Sequence, residues 1–203
     1  KKYLGLKQYH TYDRFLELAH SNKEYTYEEA KELFFNSISQ FPQDFQDKAH
    51  EVLKDGFVDV MEKVGKRTGA YSSSVANLHP FILLNFDNTL DSVFTVAHEA
   101  GHSIHSMYAT QTQPTMLQDY TIFVAEIAST FNEHTLLDYF LSLPDATKEE
   151  KIMVIQKAID EIMGTFYRQT LFAEYEYLAN NEVAKGNPIN HQVLSQIMID
   201  LSV

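Results

Sequence analysis

His98-Glu99-Ala100-Gly101-His102 is the stretch from which the rest of the chain is read. In a helix, four positions advance about 400°, so the two imidazoles lie about 40° apart on one face and about 6 Å apart along the axis. Both rings then reach one metal ion. Glu99 points about 100° away from His98, where a carboxylate addresses a metal-bound water without taking a ligand position itself. The stretch therefore predicts a helix, a divalent metal and a general base held beside it.

A hydrolytic zinc ion needs three protein ligands and an open water position, so one more donor has to come from downstream. His105, Asp119, Glu126, Glu133 and His134 are the candidates. His105 shares an azimuth with His98, but seven helical residues set it about 10.5 Å away along the axis, too far for one ion. It reads as a hydrogen-bonded helix histidine, with a substrate-binding or supporting role as the alternative. Glu126 sits in Phe123-Val124-Ala125-Glu126-Ile127-Ala128-Ser129, where a buried carboxylate without a partner is costly. A metal is its first reading and a buried ion pair its second. Gly101, Ala125, Ala128 and Ser129 are small enough to let the two helices approach and bring Glu126 to the open face of the ion. Glu133, seven residues on, shares that face. It reads either as an acceptor that orients His98 or His102 or as a solvated carboxylate.

Working outward, residues 13–20 and 27–40 have amphipathic helical spacing, the second opening on a capping box formed by Thr26 and Glu29. Phe45, Ala49, Val52, Leu53, Phe57, Val60, Met61 and Val64 keep helical spacing. They predict a long helix over 43–64, with Gly56 its weak point. Residues 69–75 and 81–86 read as two strands separated by Asn77 and Pro80. Asp91 or Ser92 caps the metal helix, which runs to about Tyr108. A second long helix covers 120–141 and a third 148–185, ended by Gly186-Asn187-Pro188; a short helix follows over 189–201. Ile152, Ile155, Ile159, Ile162 and Met163 form a core stripe on the third helix, and Glu149, Glu150, Asp160 and Glu161 its solvated face.

The fold class expected is mainly α: a helical, zincin-like catalytic core with a small antiparallel β element before the metal-binding helix. Within one catalytic domain over 1–203, expected to be partial, a helical lead-in spans 1–66, the β element 69–87, the metal-binding helix pair 91–141 and the last helices 148–203. The 203 residues are 44% hydrophobic, enough for a substantial core. With 28 acidic against 16 basic residues the net charge is −12, which argues against nucleic acid or an anionic membrane as partner. The chain has no cysteine, excluding disulfides, thiolate metal sites and a cysteine nucleophile. No apolar run reaches the roughly 18 residues of a membrane span, and Lys1-Lys2-Tyr3-Leu4-Gly5-Leu6 lacks a signal-peptide core. A cytoplasmic protein is expected. A start at Lys1 and a stop at Val203, directly after a helical pattern, suggest an excised piece of a longer chain.

Gly69-Ala70-Tyr71-Ser72, Pro80-Phe81-Ile82-Leu83-Leu84-Asn85, His98-Glu99-Ala100-Gly101-His102-Ser103, Phe123 through Thr130 and Phe166 through Glu174 together resemble the oligoendopeptidase F branch of the thimet oligopeptidase-like zinc peptidases. The resemblance covers essentially the whole chain in family order. It implies that His98, His102 and Glu126 hold one Zn2+ and that Glu99 is base and proton shuttle. It also implies a deep channel for short oligopeptides in a cytosolic enzyme. Members of that family begin earlier and continue beyond the equivalent of Val203 into a segment whose histidine and tyrosines bind substrate and stabilise the oxyanion.

The expected function is therefore a zinc-dependent endopeptidase cutting oligopeptides, with zinc-bound water activated by Glu99. The alternatives are a non-catalytic or truncated metal-binding module without oxyanion donors, and a helical scaffold that binds no metal. Tyr71, Tyr167 and Tyr175 are candidate oxyanion donors, or else wall aromatics. Arg168 pairs with an acidic neighbour on its helix or binds a substrate carboxylate. The strand at 81–86 is the one expected to receive the substrate backbone.

Overall fold

A computed structural model of the chain describes residues 4–8, 10, 13, 16–75 and 78–202. Asn77 and part of the expected helix at 13–20 lie outside these residues. Of the remainder of that helix, residues 16–20 are irregular. The chain forms two compact units, Lys1–Val154 and Ile155–Val203, with the division falling inside one helix.

The first unit begins with α1 (Tyr27–Ser37). Its capping box is formed as the sequence predicts: Thr26 Oγ1 accepts from the Glu29 backbone at 3.2 Å, and Glu29 Oε2 accepts from the Thr26 backbone at 2.7 Å. Helix α2 (Gln43–Val52) follows. The long helix expected over 43–64 ends there, because Gly56 takes φ +92°, a conformation in which a helix cannot continue. The chain leaves as strand β1 (Val58–Met61), inside the segment expected to be a helical lead-in. Periodicity alone misled here, since Val58 and Val60 fit both a helix and a half-buried strand.

Strands β2 (Tyr71–Ser73) and β3 (Phe81–Phe86) complete a sheet of order β1-β3-β2. β2 runs antiparallel to β3, with Tyr71 opposite Leu83 and Ser73 opposite Phe81. β1 runs parallel to β3, so the sheet is mixed rather than purely antiparallel. On β3, Ile82, Leu84 and Phe86 alternate into the core, as a one-sided sheet requires. The irregular register of β1 between Asp59 and Met61 is pinned by Lys66, whose Nζ donates to both their carbonyl oxygens at 3.0 and 2.7 Å.

Against this sheet lies α3 (Leu90–Thr112), capped by Thr89 rather than by Asp91 or Ser92: the Thr89 hydroxyl accepts from the Ser92 backbone. The helix ends at Gln113-Pro114, beyond the expected Tyr108. Val93, Phe94, Val96, Ala97, Ala100 and Ile104 are all buried, so α3 is wrapped on most of its circumference and forms the spine of the unit. A 3-10 turn, Thr115–Leu117, leads to α4 (Ile122–Ser142). Where the helices meet, Gly101 lies against the Ala128 carbonyl and Ser129, and Asn132 Nδ2 donates to the Ala97 carbonyl at 3.3 Å.

Helix α5 (Lys148–Glu161) begins in the first unit. Glu150, assigned from sequence to a solvated face, is buried: it accepts from the Thr147 backbone and hydroxyl at 2.8 and 2.9 Å and from Lys23 Nζ at 3.1 Å. The face turned to the core carries Glu150, Met153 and Val154. In the second unit a π-helical turn (Ile162–Tyr167) passes into α6 (Arg168–Ala184), and Asn190 caps α7 (His191–Leu201). Ile155, Ile159, Ile162 and Met163 are each between 46% and 56% exposed. The expected core stripe is thus a solvent-facing one, because periodicity identifies an apolar face but not an element to cover it.

Gly101→Ala is expected to destabilise the chain by about 2 kcal/mol or more, because its Cβ would lie 2.8 Å from backbone atoms of Ala128 and Ser129. Gly164→Ala, whose Cβ would meet nothing within 4 Å, is expected to be neutral or stabilising by up to about 1 kcal/mol. Urea unfolding of the two variants checks this, and equal midpoints would remove the close-packing account.

Candidate metal centre

Helix α3 sets His98 and His102 one turn apart, and their Nε2 atoms lie 3.1 Å from each other. Glu126, one turn into α4, brings Oε2 to 3.5 Å from His98 Nε2 and 3.7 Å from His102 Nε2. Tetrahedral ligands held at about 2.0–2.1 Å from an ion are separated by about 3.3–3.4 Å, so the three donor atoms fit a small tetrahedral cation. Among the described residues this is the group of histidines and carboxylates able to hold one. His134 is exposed on α4.

Burial acts to lower the His98 pKa, but the hydrogen bond and charge of Glu133, with the charges of Glu99 and Glu126, outweigh it and raise the value. Glu133 Oε1 is paired with His98 Nδ1. With the Nδ1 proton directed there, Nε2 is left as a lone-pair donor toward the other two groups. Burial and the charge of His98 lower the His102 pKa, which favours the neutral imidazole that a metal needs. Ser129 Oγ donates to Glu126 Oε2 at 2.8 Å and holds the carboxylate in place. Glu126 itself is 37% exposed. The burial premise of the sequence argument is therefore wrong: Phe123, Val124 and Ile127 face outward, while Ala125 and Ser129 face α3.

Glu99 is 5% exposed, and its Oε2 is buried without a hydrogen-bond partner among the described residues. Burial, opposed by the charge of His98 and by the Ser72 backbone N–H, raises its pKa to about 7. The carboxyl is thus poised to exchange a proton near neutral pH. Glu99 and the three donor residues open on a cleft of about 660 Å³ whose opposite wall is β2 with Tyr71, Ser72 and Ser74. β3, expected from sequence to receive a peptide, is paired on both edges; β2 is the edge strand at the cleft.

The sequence reading missed a set of hydroxyls along this cleft. Ser72 and Ser103 hydroxyls are 2.8 Å apart, and Ser74 Oγ donates to Ser106 Oγ at 3.2 Å. The Tyr120 hydroxyl lies 2.7 Å from Ser106 Oγ and donates to the His102 carbonyl at 3.3 Å. One signal was available: Ser103 follows Glu99, and Ser106 follows His102, by the four residues that keep a side chain on the same helical face. Nothing local to Tyr120 pointed to the site. His105, expected to be hydrogen-bonded, stacks on the Tyr120 ring at 3.9 Å, its Nδ1 buried without a hydrogen-bond partner among the described residues, and burial lowers its pKa. Tyr167, Arg168 and Tyr175 belong to the second unit. There the Arg168 guanidinium lies over the Phe172 ring, 5.7 Å from its centroid.

A profile described as Peptidase family M3 matches residues 1–202. The chain is 37% identical to oligopeptidase PepF of Bacillus subtilis over 203 residues, all of this chain and 30% of that protein. It is 34% identical to the chromosomal oligoendopeptidase F of Lactococcus lactis subsp. cremoris over 202 residues, 33% of that protein. Among solved structures, a candidate peptidase of Chlamydophila abortus superposes with a TM-score of 0.81 at 40% identity, covering 99% of this chain and 34% of that one. PZ peptidase A superposes at 0.68 with 16% identity, over 87% and 32% of the two chains, a likeness of fold. The chain thus spans about a third of the length of the relatives it matches.

Glu133→Gln is expected to lower the His98 pKa, since the carboxylate charge that raises it is lost. A histidine-resolved NMR titration in the presence of chelator checks this, and an unchanged His98 midpoint would mean that the pair does not form in solution.

Proposed function

The chain belongs to peptidase family M3, and on that premise we propose that it holds one zinc ion between His98, His102 and Glu126 and hydrolyses peptide bonds in short oligopeptides. The observation that supports this most is the triangle of Nε2, Nε2 and Oε2 atoms, with the buried carboxyl of Glu99 beside it in the same cleft. Zinc at such a site supplies an acidified water and a polarised carbonyl oxygen. Glu99, with a pKa near neutrality, takes the proton of the attacking water and returns it to the departing amine. Glu133 keeps His98 in the tautomer that leaves Nε2 free, and Ser129 steadies Glu126. An extended peptide adds to the edge of β2, where Tyr71 stands beside it. A cytoplasmic setting accords with a chain free of cysteine.

A second reading, a metal-holding module without turnover, is favoured by the share of the relatives that the chain spans. One experiment separates the two. Glu99→Gln is expected to keep one equivalent of zinc while cleavage of a quenched fluorescent peptide falls by roughly 100-fold or more. His102→Ala is expected to lose the metal. Unaltered cleavage in Glu99→Gln would sink the assigned base. Zinc retention without cleavage by the unaltered chain would establish the second reading.

Among the described residues the ionisable groups lining the cleft besides the two histidines are Tyr71, Glu99, Asp119, Tyr120 and Glu126, with the Arg67 guanidinium over the Tyr71 ring at 5.8 Å as the nearby cation, in a chain of net charge −12. Peptides of equal length carrying lysine are expected to be bound in preference to those carrying glutamate, and the difference should shrink with added salt. Equal KM values at low ionic strength would remove this preference.

A further inference from the structure

The hydroxyl chain that the proposed hydrolysis does not use joins three separate pieces of the cleft. Ser74 follows β2, Ser106 and His102 belong to α3, and Tyr120 stands in the connection between α3 and α4. Each hydroxyl has a single proton, and a carbonyl oxygen only accepts. Tyr120 therefore donates to His102 O, which leaves Ser106 to donate to Tyr120 and Ser74 to donate to Ser106. All three bonds are satisfied at once in that one direction. The Tyr120 ring is held from its face by His105, with centroids 3.9 Å apart and planes 19° from parallel.

From this geometry we propose that Ser106 is a positioning residue that latches the β2 wall of the cleft onto the metal helix, with Tyr120 accepting its hydrogen bond and so leaving its lone pairs to Ser74. The latch sets the cleft for peptide binding and leaves the metal donors and Glu99 untouched. The separation of roles follows from a second link. Ser72, whose backbone N–H serves Glu99, is tied to α3 independently through Ser103 at 2.8 Å. Loss of the Ser74–Ser106 link frees the wall beyond Ser72, not the wall at Glu99. No metal donor atom takes part, since the latch meets His102 at its carbonyl oxygen rather than at the ring.

The reference to peptide binding rests on the proposed peptidase reading, so the test carries one arm that does not need it. In the zinc-loaded chain, Ser106→Ala is expected to speed amide exchange at residues 73–75 by about fivefold or more, a local opening read across the 32 residues that separate Ser106 from Ser74. Ser74→Ala should do the same, the double variant should add little further, and Ser106→Thr, which keeps the hydroxyl, should restore slow exchange. Zinc affinity should stay within about twofold, while KM for a cleaved peptide rises about threefold to tenfold at nearly constant kcat. Unaltered exchange at 73–75 in Ser106→Ala, additive effects of the two substitutions, or loss of zinc would each overturn the latch. If Ser106→Ala fails to fold, Ser74→Ala, which cuts the same bond from the other side, decides the same point. Absence of cleavage by the unaltered chain would sink the peptidase reading, while the exchange arm still decides the latch.

Discussion

The approach of α3 to α4 at Gly101 is the constraint on which the remaining geometry depends. A glycine there lets the backbone of Ala128 and Ser129 come within the distance a methyl group would occupy, and Asn132 closes the contact by reaching the Ala97 carbonyl. Helix axes normally stand about 8–10 Å apart. A glycine at the contact puts the pair toward the near end of that range, which brings a glutamate on one helix within reach of two histidines on the other. Glu126 and Glu133 flank this contact on α4, and both address His98, one at Nε2 and the other at Nδ1. Helix packing and the electrostatics of the centre are therefore a single feature.

The site divides its carboxylates by environment. Glu133 is buried and paired with an imidazole, so it acts through charge and tautomer. Glu126 is partly open, held by Ser129, and free to offer an oxygen to a cation. Glu99 has burial without a full set of partners, and its pKa rises accordingly. Three groups of the same chemistry thus acquire three roles from the dielectric and the donors around them. The apolar residues of α4 follow the same logic in reverse: Ile122, Phe123 and Ile127 face outward because the small and polar residues are needed on the face turned to α3.

Local signals in the sequence carried well wherever a side chain bonds to its own segment. The Thr26–Glu29 capping box and the turn at Gly186 both reside in a few consecutive residues. The i, i+4 histidines share one face because helix pitch alone dictates it. Signals that depend on a partner did not carry. The stretch 53–64 has helical spacing, yet its final state was decided by pairing with β3. The stripe at Ile155, Ile159 and Ile162 has a core's periodicity and a surface's exposure. Glu150 looks solvated in sequence and is buried by Lys23, 127 residues away.

What the sequence by itself determined was the local geometry of the centre: two imidazoles on one helical face, a carboxylate between them, and small residues at 101, 125, 128 and 129. These follow from covalent order and helix pitch, which need no other part of the chain. Only the tertiary structure decided that Glu126 rather than Asp119, Glu133 or His134 meets the two Nε2 atoms. It also decided that β2 and not β3 borders the cleft, and that Tyr120 closes on His102. Those outcomes rest on long-range packing, where the crossing of two helices and the order of three strands set distances that no local pattern encodes.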